Sequence, residues 1–320
     1  MRIENPNVEI SVEPIALEAC EDAEVPQQQI EALQENNVTV SKGIARIGGA
    51  RVRFTHLVPS VISDEVPIGI VNGYCGTESA YKQLAIELAL QGREVFYKRP
   101  PRTQTPFMAM RYDHLRDVLK LQSQATWGVM KAISHYSHHS QFDIYGHSMG
   151  VPIAIKAAGE KPDYVRSLIL AGGAGLNGKN TFRGMLRKTV DVARNDVGGG
   201  RKELTKYVNP AVILVDTAHH VLRRPDRTVR EGFTVARIDA RPSLRRLHGT
   251  GINIGAILFE KDGYFKVDEV MAASGDLFDD VEITLGATHV HPQDHPIEHA
   301  DVVANMSQRL AAASHLAEIA

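Results

Sequence analysis

Residues 146–150 form the pentapeptide Gly-His-Ser-Met-Gly, with Ser148 at its centre. An apolar segment at 142–145 precedes it, and a helix-like segment at 151–158 follows it. A Gly-x-Ser-x-Gly sequence between a strand and a helix is typical of a sharp turn that exposes a nucleophilic serine hydroxyl. Such a turn strains the serine backbone by about 1–3 kcal/mol, and its glycines let strand and helix approach closely. We predict that Ser148 attacks a carbonyl carbon; the alternative is a purely structural turn.

A serine hydroxyl is a poor nucleophile near neutral pH, so it needs a base that an acid orients. The candidate acid is Asp262, which follows a predicted strand at 254–259. An aspartate before a glycine is also common in turns. Glu260 is the nearest competitor, and Asp268 fits the start of a helix.

The candidate base is His289, which follows a predicted strand at 281–285. It lies in a histidine-rich segment, and His291 is the main alternative. The chain order Ser148, Asp262, His289 is the order of serine, acid and histidine in hydrolases that carry the Gly-x-Ser-x-Gly turn. We therefore predict these three residues as a catalytic triad.

Acyl transfer also needs two backbone N–H groups that stabilise the developing oxyanion. One candidate is Met149, the residue after the nucleophile. The other is Tyr74, in the glycine-rich loop after a predicted strand at 66–71. That loop could instead be an ordinary glycine turn, and its Cys75 fits a buried, inert thiol.

Strand-like and helix-like segments alternate around these residues. Strands are predicted at 51–57, 66–71, 94–97, 142–145, 165–171, 254–259 and 281–285, and helices at 79–90, 113–136, 151–158 and 300–319. This rhythm predicts an α/β protein with a mostly parallel, doubly wound sheet. Ligand sites in such sheets lie beyond the carboxyl ends of the strands, where all the candidate residues fall.

The same rhythm divides the chain. Residues 1–45 are acidic and rich in glutamine, with one possible strand at 8–12, and we predict an N-terminal extension there. Residues 46–173 and 250–320 are predicted to form the α/β core. Between them the rhythm breaks, and residues 174–249 are predicted to be an inserted helical cap, with helix-like stretches at 182–193, 202–208 and 211–222.

These motifs resemble those of the α/β-hydrolase superfamily. The resemblance covers residue 43 to the C-terminus and rests on the pentapeptide at 146–150, on Glu260-Lys261-Asp262 and on Gly286-Ala287-Thr288-His289. It implies an eight-stranded, mostly parallel sheet and an acyl-enzyme route without a cofactor, as in esterases, lipases and thioesterases with a helical cap. The sequence departs from many such enzymes at Asn72, where they carry histidine, and at Phe259, where they carry glycine.

Charge is distributed unevenly. Residues 174–248 carry a net charge of +9, whereas the rest of the chain carries −11. One interpretation is that the predicted cap docks against an acidic body. The other is that Arg223, Arg224, Arg227 or Arg245 binds an anionic group of the substrate.

The overall composition excludes several classes of function. The net charge of −2 and the 6% aromatic content do not favour nucleic-acid binding. The two cysteines do not suggest a disulfide scaffold. We see neither a secretion signal nor an apolar run long enough to span a membrane, so we expect a cytoplasmic protein.

We therefore predict an enzyme that hydrolyses a small-molecule carboxylic ester or thioester and uses no metal or cofactor. An acyltransferase or a carbon–carbon hydrolase would use the same residues. Two further alternatives are metal-dependent hydrolysis through the histidines at 289–295 and an inert binding protein of the same fold.

Overall fold

The structure is a computed structural model. It describes residues 8–14, 27–47, 50–73, 78–98, 114–178, 184, 188 and 232–319. Most of the predicted cap lies outside these ranges, including the predicted helices at 202–208 and 211–222 and the basic residues Arg223, Arg224 and Arg227. Arg245 is described and lies exposed on a short helix. None of the described helices has the length and apolarity needed to cross a bilayer.

Nine strands form one sheet in the described part of the chain. They are β1 (Val8–Pro14), β2 (Thr39–Ile47), β3 (Ala50–Val58), β4 (Asp64–Val71), β5 (Arg93–Lys98), β6 (Phe142–His147), β7 (Val165–Ala171), β8 (Asn253–Phe259) and β9 (Asp280–Thr284), in the order β1-β2-β3-β5-β4-β6-β7-β8-β9. The pairs among β1, β2, β3 and β5 are antiparallel, and all the others are parallel. The prediction of a mostly parallel sheet is confirmed. One more strand is present than the resemblance implied, because β1 pairs along its whole length with β2.

Helices cover both faces of this sheet. They are α1 (Gln27–Glu35), α2 (Glu78–Leu90), α3 (His114–Ser137), α4 (Gly150–Glu160), α5 (Arg241–His248), α6 (Val267–Ser274), α7 (His291–Asp294) and α8 (Pro296–Ile319). α3 and α4 pack together on one face, whereas α2 and α8 pack together on the other. Every strand and helix predicted between 51 and 171 is present, within a few residues of its predicted ends.

Side chains of the central strands alternate between two hydrophobic cores. In β7, Leu168 and Leu170 face the core that includes α4, whereas Ile169 faces the core that includes α2 and α8. All three side chains are fully buried. Because successive residues of a strand point to opposite faces, a sheet covered on both sides needs continuous apolar runs. This requirement explains the apolar character of the central strands.

A buried network of ionic and polar side chains lies at the amino-terminal ends of the central strands. Asp143, at the start of β6, accepts hydrogen bonds from Arg93 (2.9 Å), Arg166 Nε (2.9 Å), Ser167 (2.6 Å) and Ser307 (2.7 Å). Burial alone would raise the pKa of the Asp143 carboxyl, but hydrogen bonds and charge from Arg166, together with the charge of Arg93, lower it below its usual value. The network lies at the opposite end of β6 from Ser148 and stabilises the fold rather than contributing to the site.

Candidate active site

Ser148 occupies the turn between β6 and α4. Its φ is +55°, in the left-handed region that residues other than glycine seldom adopt. Its N–H donates to the carbonyl of Ala171 (3.0 Å), and its own carbonyl accepts the N–H groups of Val151 and Ala174 (both 3.1 Å). These bonds hold the strained residue in place, as the sequence motif predicts.

Two glycines allow this turn to pack. A Cβ atom on Gly150 would lie 2.1 Å from the carbonyl oxygen of Val71, and one on Gly146 would lie 2.8 Å from the carbonyl oxygen of Gly150. Both distances are shorter than any real contact of a Cβ atom. The glycines of the motif are therefore required by the close approach of α4 to strands β6 and β4.

The three predicted triad residues lie in hydrogen-bond contact. His289 Nε2 is 3.0 Å from the Oγ of Ser148, and His289 Nδ1 is 2.8 Å from Oδ2 of Asp262. A carboxylate can only accept, so Nδ1 carries the proton and donates it to Asp262. In the neutral ring Nε2 is then unprotonated, and its lone pair can accept the Ser148 hydroxyl proton.

Asp262 is held rigidly at the end of β8. Its Oδ1 accepts the backbone N–H groups of Tyr264 (2.7 Å) and Phe265 (3.0 Å), which leaves Oδ2 for the histidine. The competing acid, Glu260, instead accepts the N–H of Gly286 at 2.7 Å. The structure therefore brings Asp262, and not Glu260, to His289.

The ring of His289 is enclosed by aromatic side chains. The ring centroids of Tyr264 and Phe265 lie 4.8 and 5.5 Å from its own. His291, the alternative base, packs against His295 and Phe259 instead. Burial and the neighbouring His295 lower the pKa of His291 to about 4, so this ring is neutral near pH 7.

The predicted oxyanion donors are only partly described. Met149 is buried directly after Ser148, at the start of α4. Tyr74 and Cys75 lie outside the described residues. The adjoining Gly73 is described, and a Cβ atom there would lie 3.0 Å from the Cβ of Ser148. The backbone at Gly73 therefore lies in contact with Ser148.

Three potential metal ligands lie close together beside this site. One ligand atom each from His291, His295 and Glu298 falls within 4.8 Å of the others, in the part of the chain that the structure describes. Zinc accepts such ligands, but the side chain of Glu298 is 72% exposed. His289, the first histidine of this run, contacts Ser148 and Asp262 and is not part of the group.

Two buried polar residues of the site were not singled out from the sequence. The hydroxyl oxygen of Tyr81, on α2, lies 2.6 Å from Nδ1 of His147, the residue before Ser148. His147 occupies a variable position of the Gly-x-Ser-x-Gly motif, and Tyr81 lies between Ala80 and Lys82 in the first turn of α2. A polar group at a predicted core position was the available signal.

Comparison with known proteins gives similarity in structure only. No family model and no curated protein sequence matches the chain. A putative lipase from Acinetobacter baumannii AYE superposes with a TM-score of 0.60 at 12% identity, over 93% of this chain and 97% of that one. A membrane phospholipase A described as a bacterial virulence factor gives 0.61 at 15% identity, over 85% and 86%. A meta-cleavage product hydrolase gives 0.57 at 12% identity, over 82% and 96%.

This chain has the α/β-hydrolase fold. Within this α/β-hydrolase fold, Ser148, Asp262 and His289 follow β6, β8 and β9 respectively. These strands run parallel to one another: β8 and β9 are adjacent, and β7 lies between β6 and β8. Their carboxyl ends therefore meet at one edge, which is where ligands bind in open α/β sheets.

Proposed function

We propose that this protein is a serine hydrolase that cleaves a carboxylic ester or thioester through an acyl-enzyme. The observation that carries the proposal is the continuous hydrogen-bonded series from Ser148 Oγ through His289 to Asp262, with distances of 3.0 and 2.8 Å. A nucleophile, a base within hydrogen-bond reach and a group that orients the base are the parts that acyl transfer requires.

In the proposed acylation step, Ser148 Oγ attacks the substrate carbonyl carbon while His289 Nε2 takes the hydroxyl proton. The histidine becomes cationic, and the Asp262 carboxylate beside Nδ1 stabilises that charge. Ser148 and His289 are only 7% and 8% exposed. With so little water present, this charge pairing is stronger than it would be at the surface.

The negative charge on the carbonyl oxygen needs backbone donors, for which Met149 and Tyr74 are proposed. The N–H of Gly73 is already donated to the Tyr81 hydroxyl (3.0 Å), so the next N–H in that loop is the one we assign. His289 then passes its proton to the leaving group. Water, activated by the same histidine, releases the acid and restores Ser148.

The same residues would serve an acyltransferase, in which an alcohol or amine replaces water, or a carbon–carbon hydrolase. Structures of this fold include a carboxylesterase, a phospholipase A, a putative lipase and a meta-cleavage product hydrolase. Ester or thioester hydrolysis is preferred here because it needs only the proposed triad, the proposed oxyanion donors and water, with no second substrate. An inert binding protein of the same fold is an alternative of a different class.

A fluorophosphonate probe tests the proposal directly, because it phosphonylates only an activated serine. We expect one probe adduct by intact mass, located on Ser148, and none in the Ser148→Ala variant. Panels of p-nitrophenyl esters of increasing chain length and of acyl-CoA thioesters then define the substrate class, with and without added alcohol. An unlabelled, correctly folded wild-type protein would favour the inert alternative.

A further inference from the structure

Three segments surround Ser148 and must keep a fixed spacing for the proposed reaction. They are the loop that begins at Gly73, the turn at His147 and Ser148, and the loop that carries His289. They are far apart in the sequence: the first follows β4, the second lies at the end of β6, and the third follows β9. Two side chains that the proposed chemistry does not use, Tyr81 and His147, join all three.

The donors and acceptors of the hydrogen bonds between these segments can be assigned in only one way. His147 Nε2 lies 2.9 Å from the backbone carbonyl oxygen of His289, which can only accept, so Nε2 carries the proton. In the neutral ring Nδ1 is then an acceptor, and it faces the Tyr81 hydroxyl at 2.6 Å. The hydroxyl must therefore donate to His147.

The oxygen of Tyr81 is in turn an acceptor. It receives the N–H of Gly73 at 3.0 Å and the side-chain amide of Gln293 at 3.4 Å. The series thus runs from Gly73 N–H to Tyr81, from Tyr81 to His147, and from His147 to the carbonyl of His289. Both side chains are almost completely buried, at 0% and 2% exposure, so water does not compete for these bonds.

We propose that Tyr81 and His147 are positioning residues that set the distance between Gly73 and the main chain of His289, on either side of Ser148. Tyr81 binds the N–H of Gly73, the residue before the proposed oxyanion donor Tyr74, and His147 binds the carbonyl of His289. This inference rests on the proposed function. It predicts that losing the Tyr81 hydroxyl slows acyl transfer without weakening substrate binding.

Tyr145 offers a matched control. It lies on the same strand as His147, and its hydroxyl is 2.8 Å from Nε2 of the buried His299. Tyr145→Phe and Tyr81→Phe each remove one buried tyrosine–histidine hydrogen bond. Only the second of these bonds joins the loops around Ser148. Tyr81→Phe also removes the acceptor of the Gly73 N–H, so its Tm can fall further. A purely structural role would still leave kcat and the labelling rate alike in the two folded variants.

The experiment measures kcat and KM on a p-nitrophenyl ester, the rate of fluorophosphonate labelling and Tm for both variants. We expect Tyr81→Phe to lower kcat and the labelling rate about tenfold or more, with KM within about threefold, since small misplacements of reacting groups cost up to about 100-fold. Tyr145→Phe should keep kcat and labelling within about twofold. Equal kcat and labelling rates in the two variants would overturn the inference. A wild-type protein that is not labelled would refute the proposed function instead.

A second variant protects the test against a folding defect. His147→Gln keeps an amide N–H that can donate to the His289 carbonyl, but its acceptor oxygen does not occupy the position of Nδ1, to which Tyr81 donates. We expect a similar loss of kcat, and the double variant Tyr81→Phe/His147→Gln should be no slower than the slower single variant. If the fold-losses of kcat in the two single variants multiply in the double variant, the two residues act independently, which would contradict the proposal.

Discussion

Nδ1 of His289 donates a hydrogen bond to Oδ2 of Asp262 across 2.8 Å, although the two residues are 27 positions apart. The backbone N–H groups of Tyr264 and Phe265 occupy the other carboxylate oxygen, so Asp262 cannot rotate freely. This arrangement fixes which nitrogen of His289 faces Ser148. It makes the acid of the proposed triad testable separately from the nucleophile.

Asp262→Asn should lower kcat by about 10⁴-fold, because an amide can donate to Nδ1 and stabilise the wrong tautomer of His289. Glu260→Gln is the matched control, since that carboxylate bonds only the N–H of Gly286 among the contacts described here. Its kcat should stay within a few fold of wild type. Steady-state kinetics on one ester measure kcat for both variants. A larger loss of kcat in Glu260→Gln than in Asp262→Asn would assign Glu260 as the acid instead.

Replacing the nucleophile should remove nearly all activity. Ser148→Ala should lower kcat by about 10⁴-fold or more, because triad members act as a unit. Stability should change little, because alanine keeps the Cβ atom and the backbone at φ +55°, and only the hydroxyl contact with His289 is lost. A chemical denaturation curve close to that of wild type, together with lost hydrolysis of p-nitrophenyl esters, is the expected result. Retained hydrolysis would exclude Ser148 as the nucleophile.

The packing of the turn gives a stability prediction. Gly150→Ala should destabilise the protein by about 3 kcal/mol or more, because the new Cβ atom has to displace backbone. That atom would lie 2.1 Å from the carbonyl oxygen of Val71.

Gly249→Ala is the control, since nothing lies within 4 Å of its Cβ position and its φ is −93°. It should be neutral or stabilise by up to about 1 kcal/mol. Urea unfolding curves of both variants measure the difference. A Gly150 variant as stable as the Gly249 variant would contradict the packing argument.

Acid should weaken the network around Asp143. The folded-state pKa of this carboxyl lies below its unfolded value, since hydrogen bonds and charge from Arg166 and the charge of Arg93 outweigh burial. The unfolded chain therefore binds the proton first as pH falls. The stabilisation is complete above the usual aspartate pKa of about 4 and is lost as pH falls toward the folded-state value.

Asp143→Asn should cost about 3–5 kcal/mol near neutral pH, since it leaves buried guanidinium groups without this partner. The variant should also show a flatter decline in the free energy of unfolding below about pH 4. Asp280→Asn, which breaks the exposed pair with Arg309, should cost less than about 1 kcal/mol. Denaturant unfolding between pH 3 and 7 compares them, and parallel curves for wild type and Asp143→Asn would contradict the assignment.

Much of the core follows from local sequence alone. The predicted strands and helices between 51 and 171 match those observed, because strands buried on both faces need short apolar runs and helices need longer periodic ones. The prediction of an α/β protein with a mostly parallel sheet is confirmed. The predicted boundary of the extension, at residue 45, falls inside β2, because the strand pairing that ends an element is not local information.

By itself the sequence determined the strained serine turn and the two glycines beside it, because these depend on neighbours within a few positions. Only the tertiary structure showed that Asp262, rather than Glu260, contacts His289, and that His289, rather than His291, contacts Ser148. It also revealed that Tyr81 contacts His147 across 66 positions. These contacts depend on which loops meet at the carboxyl ends of β6, β8 and β9, and that is fixed by packing of the whole sheet.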